Sequence, residues 1–79
     1  MQVIFVQVKC DPGRAYDVAT KIMDDVAEVG ELYSTSGQYD LLVKFNLDDG
    51  TDIGHFVTER VQTVPGIKDT FTTMTFKAF

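Results

Sequence analysis

Gly37-Gln38-Tyr39-Asp40-Leu41-Leu42-Val43-Lys44-Phe45-Asn46-Leu47 is the stretch whose reading decides the fold. From Tyr39 onward the side chains alternate. Tyr39, Leu41, Val43, Phe45 and Leu47 share one parity, and Asp40, Leu42, Lys44 and Asn46 share the other. A period of two with one apolar face describes a β-strand packed on a core. Gly37-Gln38 before it is a turn signal, and Asp48-Asp49-Gly50 after it is a stop. The preceding Glu31 to Ser36 is then expected to be a second strand, folded back around the glycine turn as a hairpin.

Further upstream, Val3 to Cys10 (V-I-F-V-Q-V-K-C) is β-branched and aromatic, too short for a globular helix, and closed by Asp11-Pro12-Gly13. It reads as a strand. Val3 and Phe5 are apolar on one face, Ile4, Val6 and Val8 on the other, the mark of a strand covered on both sides. Between these strands, Ala15, Val18, Ala19, Ile22, Met23 and Val26 recur at helical spacing. The pattern predicts an amphipathic helix from about Arg14 to Val29, ended by Gly30. Asp17, Lys21, Asp24, Asp25 and Glu28 form its solvated face, with Asp17 and Lys21 placed to pair at i,i+4.

Downstream of the hairpin, Thr51 or Asp52 suits an N-cap. Ile53, Phe56, Val57, Val61 and Val64 then give a second helix from about Asp52 to Val64, stopped by Pro65-Gly66. Ile67 to Phe79 reads as the last strand.

The order is therefore βαββαβ in one domain, residues 1–79. Right-handed crossovers interleave the two halves into a four-stranded antiparallel sheet with both helices on one face, a ferredoxin-like α+β fold. That layout leaves the other face bare, yet Val3, Phe5 and Leu42 point to it. Leaving several hundred Å² of apolar surface in water marks an interaction face. At about 25 cal/mol per Å², covering it is worth about 10 kcal/mol gross, comparable with the whole stability of a small domain. A second copy of the sheet would supply the cover, giving a homodimer of the dimeric α+β-barrel kind.

Composition supports an oligomer as the device that stabilises so short a chain. Cys10 is the only cysteine, so no internal disulfide can form, and no Cys/His cluster has metal-ligand spacing. Cys10 reads as a small apolar filler at a strand end. Twelve acidic residues against seven basic ones give a net charge of −5. Lys9, Arg14, Lys21, Lys44, Arg60, Lys68 and Lys77 are scattered, so no phosphate-binding surface is expected and direct nucleic-acid binding is excluded. No stretch has the length of a membrane span, and the N-terminus has no secretion-signal pattern, so the expected setting is cytoplasmic.

Catalytic signals are sparse. His55, the sole histidine, falls away from the apolar stripe of its helix and reads as a solvent-facing side chain. Asp48, Asp49 and Asp52 lack the later glutamate of a calcium loop and suit turn and cap roles. No cofactor is implied. Arg60 is the anomaly: it falls in the middle of an apolar stripe. Its stem can snorkel to a sheet edge, or its guanidinium can reach a carboxylate, either Asp40 or one on a ligand. Two polar constellations remain. Gly37-Gln38-Tyr39-Asp40 sets an aromatic and a carboxylate on a flexible turn, and Thr70-Phe71-Thr72 projects two hydroxyls from one face of a strand. Hydroxyl and N–H donors with an aspartate suit a small zwitterion.

At these residues the sequence resembles the C-terminal effector domain of the Lrp/AsnC (leucine-responsive and asparagine regulator) family. The marks are Ser36-Gly37-Gln38-Tyr39-Asp40-Leu41-Leu42-Val43-Lys44 and Val64-Pro65-Gly66-Ile67-Lys68-Asp69-Thr70-Phe71-Thr72, with the strand into Cys10-Asp11-Pro12-Gly13 fitting the same pattern. The resemblance implies sheet-to-sheet dimers assembled into an octameric or decameric ring, with amino-acid effectors bound in clefts between dimers. By motif match it assigns Gly37, Gln38, Tyr39, Asp40, Thr70 and Thr72 to the ligand site. The family's regulators carry an N-terminal helix-turn-helix, whereas this chain begins at the first strand. The expectation is a stand-alone sensing module, with any effect on transcription passing through a partner such as a full-length relative.

Two other readings share the fold: a small enzyme of the dimeric α+β-barrel class, and a purely structural assembly module. An enzyme of that class should carry acid–base groups between sheet and helices, where this sequence places Val, Leu, Phe and Ile.

Overall fold

A computed structural model covering residues 1–79 shows β1 (Gln2–Cys10), α1 (Ala15–Asp25), β2 (Val29–Ser34), β3 (Leu41–Leu47), α2 (Ile53–Phe56), a π-helical turn (Val57–Val61) that continues α2, and β4 (Ile67–Met74). The strands form one antiparallel sheet in the order β2-β3-β1-β4. This is the expected ferredoxin-like βαββαβ fold.

The alternation along β3 sets the core. Leu41, Val43, Phe45 and Leu47 are buried, and their β1 partners Val8, Val6, Ile4 and Gln2 carry the register across; all but Gln2 are buried too. Val18, Ile22 and Val26 from the first helical segment, with Phe56, Val57, Val61 and Val64 from the second, close over the same side in a single apolar cluster. Phe45 meets Phe56 edge-on, ring centroids 5.2 Å apart, a geometry favoured by the ring quadrupoles.

Several boundaries differ from those predicted. The first helix ends at Asp25: the Val26 backbone is already extended, and its N–H closes the last turn on the Ile22 carbonyl. Gly30 therefore does not cap the helix. It is the extra residue of a β-bulge, where Val29 faces Phe45 and Glu31 faces Lys44, and a Cβ there would lie 2.5 Å from the Asn46 side-chain nitrogen. On α1, Asp17 pairs with Arg14 and Lys21 with Asp25 rather than with each other.

The second helix is not a uniform α-helix. Asp52 caps it, its carboxylate accepting the His55 N–H at 3.0 Å. After one α-helical turn the backbone widens, and the Gln62 N–H reaches the Val57 carbonyl five residues back at 2.8 Å. That winding brings Val57 and Val61 onto the core while Arg60 is carried off the apolar stripe, where α-helical spacing puts it.

β4 ends at Met74 rather than Phe79. Its last partner on β1 is Ile4, and beyond it the Thr75 hydroxyl donates to the Val3 carbonyl while Phe76, Lys77 and Ala78 border a hollow with Val3 and Phe5. Phe76 and Phe79 are fully exposed.

The face opposite the helices is the bare one. Val3, Phe5 and Leu42 are half-buried on it, Tyr33 and Phe71 are exposed, and Gln7, Lys9 and Lys44 lie between them.

Candidate functional site

The turn between β2 and β3 is held from both sides. Gly37 adopts φ +103°, a conformation that a side chain disfavours, and lets the chain reverse. The Thr35 N–H donates to the Asp40 carbonyl at 2.9 Å, the Thr35 hydroxyl to the Tyr39 carbonyl at 3.0 Å, and the Asp40 N–H to the Val8 carbonyl at 2.8 Å. Lys9 Nζ donates to the Gln38 carbonyl at 3.0 Å. The loop is thus fastened to β1 on the bare side of the sheet.

Because β3 begins only at Leu41, Tyr39 does not continue its core parity as predicted. Its ring instead packs against Phe71, centroids 6.3 Å apart, and Phe71 stands opposite Gln7 on the bare face. Gln7, Ser36, Gln38, Tyr39 and Phe71 surround a hollow of about 370 Å³. Ser36 and Phe71 belong to the two sequence marks without being assigned to the ligand site by them, and Gln7 lies outside both marks. Gln7 carried a signal: it is the one polar residue among Val3 to Val8.

Asp40 behaves differently from its neighbours. Its carboxylate accepts the Cys10 backbone N–H at 2.7 Å, at the point where the β1–β4 register slips between Lys9 and Cys10. It does not line the hollow. Burial pushes the Cys10 thiol pKa upward, and the nearby negative charges of Asp40 and Asp11 push it the same way. Cys10 is 6% exposed and unbonded, an inert filler in the core.

Thr70 and Thr72 lie on the opposite face, in register with Val8 and Val6. Thr70 Oγ1 accepts a hydrogen bond from Gln62 Nε2 at 2.8 Å. Thr72 lines a second groove of about 370 Å³ between the second helix and β4. Within one chain, then, Gln38 and Tyr39 come together, Gly37 shapes their turn, Asp40 braces it, and the two threonines are separated from them by the sheet.

Arg60 finds its carboxylate, and it is not Asp40. Its guanidinium forks onto Glu28, with Nη2–Oε1 3.1 Å and Nη1–Oε2 3.3 Å, while lying 5.7 Å from the centre of the Phe56 ring. Both reasons follow from the corrected helix boundaries: Glu28 lies past the end of α1, and the π-turn moves Arg60 aside. On the bare face, the Tyr33 hydroxyl donates to Glu31. With Lys44 beside it, this bond holds the Glu31 carboxyl below its usual range and raises the Tyr33 phenol. His55 is exposed, and no three His, Cys, Asp or Glu side chains gather as a metal site. No helix is long and apolar enough to cross a membrane.

Residues 3–79 match the family model of the Lrp/AsnC ligand binding domain. Over 72 residues the chain is 32% identical to the homocitrate synthase of Sulfolobus acidocaldarius, covering 91% of this chain and 15% of that protein. Over 73 residues it is 29% identical to the HTH-type transcriptional regulator FL11 of Pyrococcus horikoshii, covering 92% of this chain and 47% of the regulator. The chain thus spans less than half the length of these curated relatives. The crystal structure of hypothetical protein PHS023 from Pyrococcus horikoshii superposes with a TM-score of 0.85 at 31% identity, covering 99% of this chain and 93% of that one. With the βαββαβ order, the sheet topology and the two sequence marks in place, the match over nearly the whole length shows that this chain belongs to the Lrp/AsnC ligand binding domain family.

Proposed function

We propose that this chain is an effector-sensing module that binds a small amino acid or a related metabolite at a site shared between copies, and modulates assembly or a transcription-regulator partner. The carrying observation is the separation of the matched residues. Gln38 and Tyr39 open on the bare face, whereas Thr72 lies in a groove on the helix face. A site containing all of them needs more than one chain. Phe5, Leu42 and Phe71 on the bare face supply apolar surface for sheet-to-sheet pairing, and Gln7, Lys9 and Lys44 interspersed among them set its register. Dimers formed this way leave the helix-side grooves free for dimer-to-dimer contact, as in a ring. The likeness to an HTH-type transcriptional regulator over 47% of its length supports a role upstream of transcription, exerted through a partner such as a full-length relative.

The experiment is light scattering on the purified chain combined with thermal melting in the presence of each free amino acid. An assembly of at least a dimer, and stabilisation by some amino acid following RT ln(1 + [L]/Kd), are expected. A monomer that responds to no amino acid at millimolar concentration refutes the proposal. A stable ring without any ligand response points instead to a purely structural assembly module.

A further inference from the structure

Past Met74 the chain parts from β1 but stays with the bare face of the sheet. The Thr75 hydroxyl donates to the Val3 carbonyl, and Phe76, Lys77 and Ala78 border a hollow of about 440 Å³ lined from the sheet side by Val3, Phe5 and Lys44. Lys44, paired with Glu31 at 3.5 Å, is the one charged side chain that the sheet contributes there. Phe76 is fully exposed at the rim of the hollow, which it borders without filling. Phe79 is fully exposed too, with Lys77 Nζ 4.9 Å from its ring centre. The tail and the bare face therefore form one continuous apolar surface.

One chain thus carries, side by side, a largely apolar hollow and an aromatic side chain without a seat. A two-fold dimer joins a surface to itself, so a group that projects beside a hollow on one copy meets the same hollow on the other. The chemistry suits a ring. It would pack on valine and phenylalanine and lie beside a lysine ammonium, a cation that the face of a ring attracts. Area points the same way. A phenylalanine buries roughly 150–250 Å², so Phe76 and Phe79 from two copies contribute roughly 600–1,000 Å² against the roughly 1,200–2,000 Å² of a stable interface. A partner that covered the tail alone would fall short. The remaining apolar area lies next to the tail, on Val3, Phe5 and Leu42, and a second copy covers both by one operation. We infer that residues 75–79 form an arm that crosses to a second copy, where Phe76 enters the corresponding hollow, each copy giving an arm and receiving one. The inference rests on the sheet-to-sheet pairing proposed above and adds a reciprocal contact that locks the two sheets together at one end.

The test is sedimentation equilibrium of the full chain over a dilution series, repeated on Phe76→Ala, on Val3→Lys and on their equimolar mixture. Phe76 is exposed beyond the end of β4, and Val3 is half-buried on the bare face outside the core cluster, so both variants should keep the native circular dichroism. Each substitution occurs twice in a two-fold dimer, so each should raise the dimer Kd by about a hundredfold. The mixed pair regains one intact arm in one intact hollow and should dimerise about tenfold more tightly than either variant alone. Weakening without rescue in the mixture overturns the exchange and places Phe76 on its own chain. A dimer that Phe76→Ala leaves unchanged overturns the arm while leaving the sheet pairing intact. A monomeric unmodified chain overturns both.

Discussion

Replacing Asp40 by alanine should destabilise the fold before it affects any ligand. The carboxylate accepts the Cys10 N–H at 2.7 Å where the β1–β4 ladder slips, so it takes the place of a sheet carbonyl. A hydrogen bond to a charged group contributes about 1.5–3 kcal/mol net. Asp40 is only half-buried, so water can replace part of the lost partner, and about 1–2 kcal/mol is expected. For a domain of this size each kcal/mol moves Tm by roughly 4–8 °C. Asp40→Asn keeps a neutral acceptor and should cost about half as much. Urea denaturation at fixed protomer concentration measures the effect: the midpoint should fall at constant m, since the surface exposed on unfolding is unchanged. Hydrogen exchange gives a local readout, because the Cys10 amide should lose more protection in Asp40→Ala than Val6 and Val43, which should lose only what the fall in global stability accounts for. An alanine variant with an unchanged midpoint and a protected Cys10 amide refutes this account, and loss of ligand stabilisation in that same variant would make Asp40 a ligand group instead.

Gly66 has φ +96°, and a Cβ there would lie 2.9 Å from Val18 Cγ2. Gly66→Ala should cost about 1–3 kcal/mol by thermal melting. Gly37→Ala should cost less, because its φ is also positive but nothing lies within 4 Å of its Cβ position; equal losses would remove the packing term. The Arg60–Glu28 fork is partly solvated, so a double-mutant cycle with alanines should give a coupling of about 0.5–1 kcal/mol that shrinks in high salt; coupling above that range would mean that the pair is desolvated in an assembly. Native Cys10 should react slowly with thiol reagents at neutral pH, at a rate set by unfolding. Its folded pKa is raised, so its contribution to stability is fully present below the unfolded thiol pKa and lost as pH rises through the folded one. Rapid labelling of the native protein, or alkaline instability unchanged in Cys10→Ala, would contradict this.

The residues that specify the sheet act through local repetition. The alternation over Leu41–Leu47, the apolar run from Val3 and the turn at Gly37 each predict their element with no knowledge of the others. Side-chain parity in a strand depends only on the backbone, so the core face was legible residue by residue. The family marks were legible for a related reason: Gly37, Asp40 and Gly66 each answer a backbone demand that few other residues meet. What sequence could not supply is where regular structure stops. The end of α1 at Asp25, the π-turn at Val57–Val61 and the start of β3 at Leu41 are set by competition between periodic local bonding and packing on a sheet that distant segments build. Those three boundaries decide the chemistry of the candidate site. They give Arg60 the Glu28 carboxylate instead of Asp40, and they turn Tyr39 from the core to Phe71. Strand pairing in turn leaves Gln38 and Thr72 on opposite faces, a separation invisible to motif spacing because it depends on which strand each motif joins and at what register. The sequence by itself therefore determined the element order, the buried face and the family. Only the tertiary structure decided which polar residues meet, because side chains far apart in the chain are brought together by strand pairing and not by their spacing.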